Sequence, residues 1–301
     1  MRPLKLGTRG SALARRQAEI VIETLAGATI ELVIVQTEGD RRTETSLEEI
    51  GGEGVFVKDI ERRLLTGEID LAVHNLKDMP ARDPEGLVIG AVLPRADARD
   101  ALVAHDGLTL EQLPVDARVG TDSRRRATQL LAMRPDLRIE SIRGNVDTRI
   151  AKVASGEYDA AVLAVAGLAR LGILERASQA FTAEEMLPAC GQGILAVQCR
   201  AGDDEVLEAL RAIDDAPTRA AADAERAFLR RLGAGCRLPV GAYAEVTGDN
   251  LLIRAFVADD AGRVRAGTSK GPVSAAARAG DMLAVRLMIE AGIKAGAGET
   301  R

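Results

Sequence analysis

Aromatic and histidine residues are scarce in this chain of 301 residues. It has no tryptophan, two tyrosines, four phenylalanines and two histidines, His74 and His105. Base stacking on single-stranded nucleic acid depends on aromatic side chains, so that mode of binding is disfavoured. A metal site built from three histidines is excluded, and a catalytic triad would have to use one of these two residues.

Cysteine pairs and long apolar runs are also missing. The three cysteines, Cys190, Cys199 and Cys236, are odd in number and lack the paired close spacing of a zinc site or a redox motif. No stretch approaches the roughly 20 apolar residues of a membrane span, and no apolar run precedes a small-residue cleavage site at the N-terminus. We therefore expect a cytoplasmic protein that uses carboxylates, arginines or one thiol.

The charge balance is acidic, with 40 Lys plus Arg against 45 Asp plus Glu and a net charge of −5. This balance argues against a nucleic-acid partner bound through gross charge. Of the basic residues, 34 are arginine. The bias has two possible sources, genome composition or bidentate recognition of carboxylates and phosphates, and clustering can separate them. Neither GxxxxGK[ST] nor GxGxxG is present, which weakens nucleotide hypotheses.

Short β-branched runs alternate with amphipathic helices through the first two thirds of the chain. This alternation predicts an α/β fold with parallel or mixed sheets and helices on both faces. The predicted strands are 4–6, 30–35, 69–73, 101–104, 118–120, 137–142 and 160–165. The predicted helices are 11–25, 56–65, 123–133, 146–154 and 167–171.

The pattern changes after Pro217. A helix is predicted over 218–232, followed by an antiparallel meander of three strands at 240–246, 251–257 and 263–269. A last helix over 272–293 carries an apolar stripe formed by Met282, Val285, Ile289 and Ile293. These elements predict a small α+β domain.

Breaks near Pro94 and at 187–193 suggest a chain that crosses twice between two α/β domains and leaves a ligand cleft. Domain 1 is predicted over 1–94 and 194–215, with the cleft. Domain 2, over 95–193, carries arginine-rich turns that suit anions. Domain 3, over 216–301, carries the loop with Cys236.

Two polar turns follow predicted strands in domain 1. Between a strand and a helix, Ser11 can cap the helix while Arg9 and the helix amides face an anion; the alternative is an ordinary cap beside a surface arginine. After a buried strand, Asp78 can stabilise a cation or move a proton, and Lys77 can hold a carboxylate. The alternative is that both residues only cap a turn.

Two arginine-bearing turns lie at helix starts in domain 2, over 120–126 and 143–149. Their repetition argues for a ligand with several negative groups, although a triple arginine is otherwise usually a solvated face. Cys236 lies in a glycine-flanked loop where a thiol can be exposed, so it is the best candidate for a covalent attachment, whereas Cys190 and Cys199 lie in more apolar surroundings.

Six segments stand out in chain order: GTRGS (7–11), VHNLKD (73–78), RRR (124–126), RGN (143–145), LAVAG (163–167) and GAGC (233–236). Together they resemble the porphobilinogen deaminase (hydroxymethylbilane synthase) family over nearly the whole chain. The resemblance implies three domains, the first two like the type 2 periplasmic binding-protein fold. It also implies a dipyrromethane cofactor, joined by a thioether to Cys236 of the third.

The resemblance further implies a transferase of tetrapyrrole biosynthesis. Such an enzyme removes ammonia from four porphobilinogens, joins them head to tail and releases linear hydroxymethylbilane. Arginine forks suit the acetate and propionate groups of the substrate, and a buried carboxylate suits the electron-poor pyrroles. A monomer without a membrane or nucleic-acid partner is expected, and no metal.

By position, the resemblance makes Asp78 the catalytic residue. The residues implied to bind cofactor or substrate are Arg9, Ser11, Phe56, Lys77, Thr121, Ser123, Arg125, Arg126, Arg143, Asn145, Arg149, Gly167 and Gln192. The stretch 41–54 corresponds to a mobile loop over the cleft and is expected to be poorly ordered.

The chain departs from the family pattern at a few positions. Asn75 and Asp122 stand where serine is usual, and Arg124 and Asp147 replace less polar residues. Asp122 would repel an anion unless it turns toward an arginine. The alternative from another class is a noncatalytic small-anion binding module, which has no evident use for the third domain and its thiol.

Overall fold

The computed structural model describes residues 2–37, 57–233, 238–259 and 262–293. Its strands are β1 (Leu4–Arg9), β2 (Ile30–Val35), β3 (Leu71–Asn75), β4 (Leu87–Val92), β5 (Asp100–Ala104), β6 (Arg118–Gly120), β7 (Arg138–Glu140), β8 (Ala160–Ala164), β9 (Gln179–Ala180), β10 (Leu195–Arg200), β11 (Val240–Thr247), β12 (Asn250–Ala258) and β13 (Val264–Pro272). Its α-helices are α1 (Ala12–Thr24), α2 (Lys58–Leu65), α3 (Arg124–Met133), α4 (Val146–Ala154), α5 (Val165–Arg170), α6 (Asp204–Arg211), α7 (Ala216–Leu232) and α8 (Ala276–Ala291).

Contacts along the chain define two compact units. The first comprises Met1–Ala96 and Ile194–Arg219, and the second comprises Asp97–Gly193 and Ala220–Arg301. The second unit therefore holds both the predicted second domain and most of the predicted third. The division of the chain into three domains stays a prediction.

The first unit is built on a mixed sheet with the strand order β2-β1-β3-β10-β4. β1 runs parallel to β2 and β3, and β10 is antiparallel to β3 and β4. Successive residues of a strand point to opposite faces, and the core follows this alternation. Leu71 and Val73 pack with α1 and α6, whereas Ala72 packs with α2. Helices thus cover both faces.

The second unit contains another mixed sheet, with the order β7-β6-β8-β5-β9. β6 is parallel to β7 and β8, and β5 is antiparallel to β8 and β9. Leu130 of α3 packs on the face that carries Leu102 and Val162. The opposite face, with Ala101 and Leu163, packs with α4 and α5.

An antiparallel sheet β11-β12-β13 forms the rest of the second unit together with α7 and α8. Phe228 of α7 and Leu283 and Leu287 of α8 are buried against the strands. The two helices meet closely at Gly280, because a Cβ there would lie 1.9 Å from the carbonyl oxygen of Ala224. Only glycine fits at this point of contact.

Most of the apolar stripe predicted on the last helix does not pack against the core. Met282 and Ile289 are 57% and 75% exposed, and Val285 is also exposed, whereas Ile293 packs against the core. The buried face of α8 instead uses small residues together with leucines. The helix begins at Ala276 rather than residue 272, after a 3₁₀ turn over Val273–Ala275.

The predicted fold class is confirmed by the two mixed sheets with helices on both faces and by the three-stranded antiparallel sheet. Three strands and one α-helix of the described ranges were not predicted, namely β4, β9, β10 and α6. None of the helices in the described ranges combines the length and the apolar character needed to cross a bilayer.

Candidate active site

The first predicted turn follows β1. Ser11 caps α1, because its Oγ accepts a hydrogen bond from the amide of Ala14 at 3.3 Å, as predicted. Thr8 is buried beside it and its hydroxyl donates to the Ala14 carbonyl at 3.1 Å. Arg9 ends β1 and is half-buried. Its contact with an anion stays a prediction.

Asp78 ends the 3₁₀ turn Leu76–Asp78, which directly follows β3. Its side chain is exposed, so the expectation of a buried carboxylate is wrong. The carboxylate is oriented from within the protein: Asn75 Nδ2 donates to Asp78 Oδ2 at 3.0 Å, and Gln17 Nε2 donates to Asn75 Oδ1 at 2.6 Å. Gln17 lies on the buried face of α1. Two amides thus fix an exposed carboxylate, with Lys77 beside it.

Sequence reasoning did not find Gln17. The available signal was a polar residue on the otherwise apolar face of α1, next to Ala18 and Val21. A buried amide normally has a hydrogen-bond partner, so such a position marks a polar contact inside the protein. The residue that supplies this contact, Asn75, lies 58 positions away.

Arg125, Arg126 and Gln192 are brought together around Asp100, a fully buried carboxylate at the start of β5. Arg125 Nη2 lies 2.7 Å from Asp100 Oδ2, and Arg126 Nη2 lies 2.6 Å from Oδ1. Gln192 Nε2 donates to Oδ1 at 3.0 Å and to the Ala98 carbonyl at 2.6 Å. Burial lowers the pKa of Arg125, and the charge of Asp100 opposes this shift.

This arrangement changes the interpretation of the triple arginine. Arg125 and Arg126 are buried, so the solvated-face alternative holds only for the exposed Arg124. The two buried arginines pair with the protein's own carboxylate and also donate to the carbonyls of Leu187 and Val162. Sequence reasoning missed Asp100. Ligand binding by Arg125, Arg126 and Gln192 stays a prediction.

Arg143 and Arg149 lie around Asp122. Asp122 Oδ2 is 3.9 Å from Arg143 Nη1 and 4.0 Å from Arg149 Nη2, so this carboxylate does turn toward arginines. Ser141 Oγ donates to its other oxygen. Burial lowers the pKa of Arg149, and the positive charges of Arg126 and Arg143 lower it further, while Asp122 opposes them. The cluster carries more positive than negative charge.

The turn before α4 holds Arg149 in place. Arg149 Nε donates to the Gly144 carbonyl at 2.9 Å. Gly144 has φ of +110°, and a Cβ there would lie 2.6 Å from the Thr148 side chain. Glycine is therefore required at this position for both its conformation and its lack of a side chain.

The remaining predicted residues lie at neighbouring helix starts. Ser123 caps α3 and accepts from the Arg126 amide at 3.4 Å, and Thr121 accepts from the Ser123 amide at 3.2 Å. Asn145 is exposed and precedes α4, and Gly167 lies inside α5. Phe56, Cys236 and the loop 41–54 fall outside the described residues.

A further buried carboxylate was not found from the sequence. Glu225 of α7 is fully buried and accepts hydrogen bonds from the amides of Gly191 at 2.6 Å and Ala244 at 2.7 Å. It therefore ties the loop that carries Gln192 to strand β11.

Two family models together match most of the chain. Residues 4–208 match the dipyromethane cofactor binding domain of porphobilinogen deaminase, and residues 220–288 match its C-terminal domain. The chain belongs to the porphobilinogen deaminase family. Porphobilinogen deaminases of Desulforudis audaxviator and Roseiflexus castenholzii are 48% and 47% identical to it, covering 99% and 95% of this chain and 96% and 95% of the relatives. That of Brevibacillus brevis is 52% identical, covering 82% of this chain and 81% of the relative.

Solved structures with some similarity include a Salmonella typhimurium periplasmic binding protein with high arginine specificity, at a TM-score of 0.40 and 12% identity, covering 71% of this chain and 92% of that one. The Bordetella pertussis BvgS periplasmic VFT2 domain matches at 0.42 and 15%, covering 70% and 86%. Because these TM-scores are low, the fold is described by the strand orders given above and not by the similarity to these structures.

Membership of the porphobilinogen deaminase family confirms the transferase activity and the dipyrromethane cofactor, and the binding-module alternative is wrong. The arginine cluster fits such a cofactor. Arg143 and Arg149 carry two positive charges against the single negative charge of Asp122, and guanidinium groups pair well with carboxylates. A group with several carboxylates would balance the remaining positive charge.

Proposed function

We propose that Asp78 is the catalytic carboxylate of this porphobilinogen deaminase and that Cys236 carries the dipyrromethane by a thioether. The observation that carries the first proposal is the placement of the Asp78 carboxylate. It is exposed at the end of the 3₁₀ turn that follows β3, and it is held by the amide of Asn75, which Gln17 orients in turn. A fixed negative charge stabilises positive charge that develops on pyrrole nitrogens.

The positive groups around the turns bind the acetate and propionate side chains in this proposal. Arg143 and Arg149 contribute most directly, because Asp122 neutralises only part of their charge. When bound, the dipyrromethane supplies the pyrrole end to which the first substrate is joined. The other residues proposed to contact cofactor or substrate are Arg9, Ser11, Phe56, Lys77, Thr121, Ser123, Arg125, Arg126, Asn145, Gly167 and Gln192.

A cytoplasmic monomer without a nucleic-acid partner is part of the same proposal. The net charge of −5 supports the last point, because nonspecific nucleic-acid binding relies on an excess of positive charge. Sedimentation of the purified protein tests whether it is a monomer.

Intact mass measurement with peptide mapping tests the attachment at Cys236. We expect an added mass equal to two porphobilinogens less two ammonias, located on the peptide that contains Cys236. If the purified chain is unmodified, incubation with porphobilinogen should produce the same adduct. An adduct on Cys190 or Cys199, or none after incubation, would contradict the proposal.

Asp78→Asn tests the catalytic role. The amide keeps the shape of the side chain but removes its charge, so we expect kcat to fall by about 100-fold or more. Intact mass should show that the cofactor is still attached. Asp116→Asn is the matched control, since Asp116 is an exposed carboxylate of the second unit. Near-normal turnover of Asp78→Asn would remove Asp78 from the reaction.

A further inference from the structure

Three polar side chains are buried together on one face of the first sheet. They are His74 of β3, Gln198 of β10 and Glu61 of α2, and each is at most 9% exposed. This is the face on which α2 packs through Ile60 and Leu64. Polar groups in an apolar layer cost stability unless they bond to one another. We refer to these three residues as the polar row.

The register of β3 and β10 places His74 and Gln198 side by side. Ala196 pairs with His74 and Gln198 pairs with Ala72, so the two polar side chains point to the same face, two residues apart. Gln198 Nε2 donates to Glu61 Oε1 at 3.0 Å. That bond connects the strand to α2.

The other end of Gln198 points toward the histidine. His74 Nε2 and Gln198 Oε1 are both buried, and neither has a well-formed hydrogen bond among the described groups. The two side chains interact nevertheless: Gln198 raises the pKa of His74, as an acceptor does. An imidazole N–H can donate to an amide oxygen, so a hydrogen bond from His74 Nε2 to Gln198 Oε1 would satisfy both buried groups.

Burial keeps His74, the histidine of the polar row, uncharged. It lowers the pKa of His74 to about 4, although the negative charge of Asp78 and the interaction with Gln198 act in the opposite direction. Burial also raises the pKa of Glu61. The ring of His74 is therefore neutral at neutral pH.

We propose that Glu61, Gln198 and His74 are positioning residues that hold the end of β3 and thereby set the direction of the Asp78 carboxylate. His74 and Asn75 are successive residues, so they approach the turn from opposite faces of the sheet. Gln17 supports the turn through Asn75 on one face, and the polar row supports it through His74 on the other. This inference rests on the role proposed for Asp78.

Gln198→Met tests the row, because methionine has nearly the same volume and makes neither hydrogen bond. We expect kcat to fall about 10-fold to 100-fold through misplacement of Asp78, with KM and cofactor occupancy unchanged. Gln198→Glu should recover most of kcat, since one carboxyl oxygen still faces His74 and two neighbouring buried carboxyl groups can share one proton, which lets the other oxygen keep a hydrogen bond with Glu61. His74→Phe, which keeps a ring without the Nε2 proton, should lower kcat like Gln198→Met.

Cys199→Ala is the matched control. Cys199 is the next residue of β10, is fully buried and faces the opposite side of the sheet. It should lower the melting temperature without changing kcat, as expected for a purely structural residue. If Gln198→Met does not fold, the comparison of His74→Phe with Cys199→Ala decides the question.

The outcomes separate this inference from the proposed function. If Gln198→Met or His74→Phe has a normal kcat while Asp78→Asn is inactive, the positioning role of the polar row is overturned and the role of Asp78 is left intact. Loss of kcat that Gln198→Glu does not recover would also overturn it. A wild-type chain that fails to convert porphobilinogen, or an active Asp78→Asn variant, would overturn both proposals.

Discussion

Arg125 and Arg126 are buried and are fixed by a carboxylate, that of Asp100, which the sequence pattern does not reveal. Asp100 is surrounded by two guanidinium groups and by the Gln192 amide, all within about hydrogen-bonding distance. A carboxylate without a partner would be costly at such a site, and so would either arginine. The pairing determines the positions of two side chains that belong to the proposed binding set.

Asp100→Asn is predicted to destabilise the second unit strongly. The amide leaves two buried positive charges without a full counter-charge, which costs about 3 to 5 kcal/mol of unfolding free energy. Asp97→Asn is the control: Asp97 pairs with Arg99, but both side chains are about one-third exposed or more, so the expected cost is about 0 to 1 kcal/mol. Urea unfolding, monitored by hydrogen exchange in peptides of residues 97–193, measures both changes in unfolding free energy. Equal costs would mean that the buried cluster contributes no special stability.

At the scale of elements, periodicity predicted the segments whose pattern is local. Helices α1 and α4 and strands β2 and β6 lie within one residue of the predicted limits. β4 was missed because Gly90 interrupts its apolar run, and there a Cβ would lie 2.4 Å from Leu210. β10 was missed because its partners β3 and β4 lie more than 100 residues earlier in the chain. Pairing over such a distance leaves no periodic signal.

The candidate site shows the same limit. Ser11 was predicted as a cap because a cap is a local pattern, and the structure confirms it. Gln17, Asp100 and Glu225 were missed, since each acts on residues that only the fold brings near. The exposed stripe of α8 has a related cause. Spacing identifies an apolar face, but the close approach of α7 at Gly280 selects a different one.

Gly280→Ala is predicted to separate α7 from α8. The added Cβ would lie 1.9 Å from the Ala224 carbonyl, a backbone atom that cannot rotate away. Overpacking of this kind costs about 1 to 3 kcal/mol, against a gain of about 1 kcal/mol in helix propensity. We therefore expect a lower melting temperature. Gly271→Ala, with no atom within 4 Å of its Cβ, is the control. A Gly280→Ala variant as stable as this control would contradict the close helix contact.

At the scale of the whole molecule, the two compact units differ in the burial of their histidines. The first unit contains His74, which is buried, and the second contains His105, which is exposed. Asp70, also in the first unit, has its pKa lowered to about 2, because hydrogen bonds from Arg2, the Lys5 amide and Arg200 outweigh its burial. Lowering the pH therefore destabilises the first unit in two pH ranges, first by protonating His74 and then, at lower pH, by protonating Asp70.

The first unit is predicted to lose stability between pH 6.5 and pH 4. The pKa of His74 is about 4 in the folded protein and 6.5 in the unfolded chain, so the unfolded chain binds the proton first. The contribution of neutral His74 to the free energy of unfolding is complete above pH 6.5, and it falls by about 3 kcal/mol as the pH drops to 4. His74→Gln cannot titrate, so it should remove this loss, whereas His105→Gln should retain it. Hydrogen exchange in peptides of residues 57–96 and 194–219, compared at pH 7 and pH 4.5, measures the change. A loss of equal size in His74→Gln would show that another group causes the acid sensitivity.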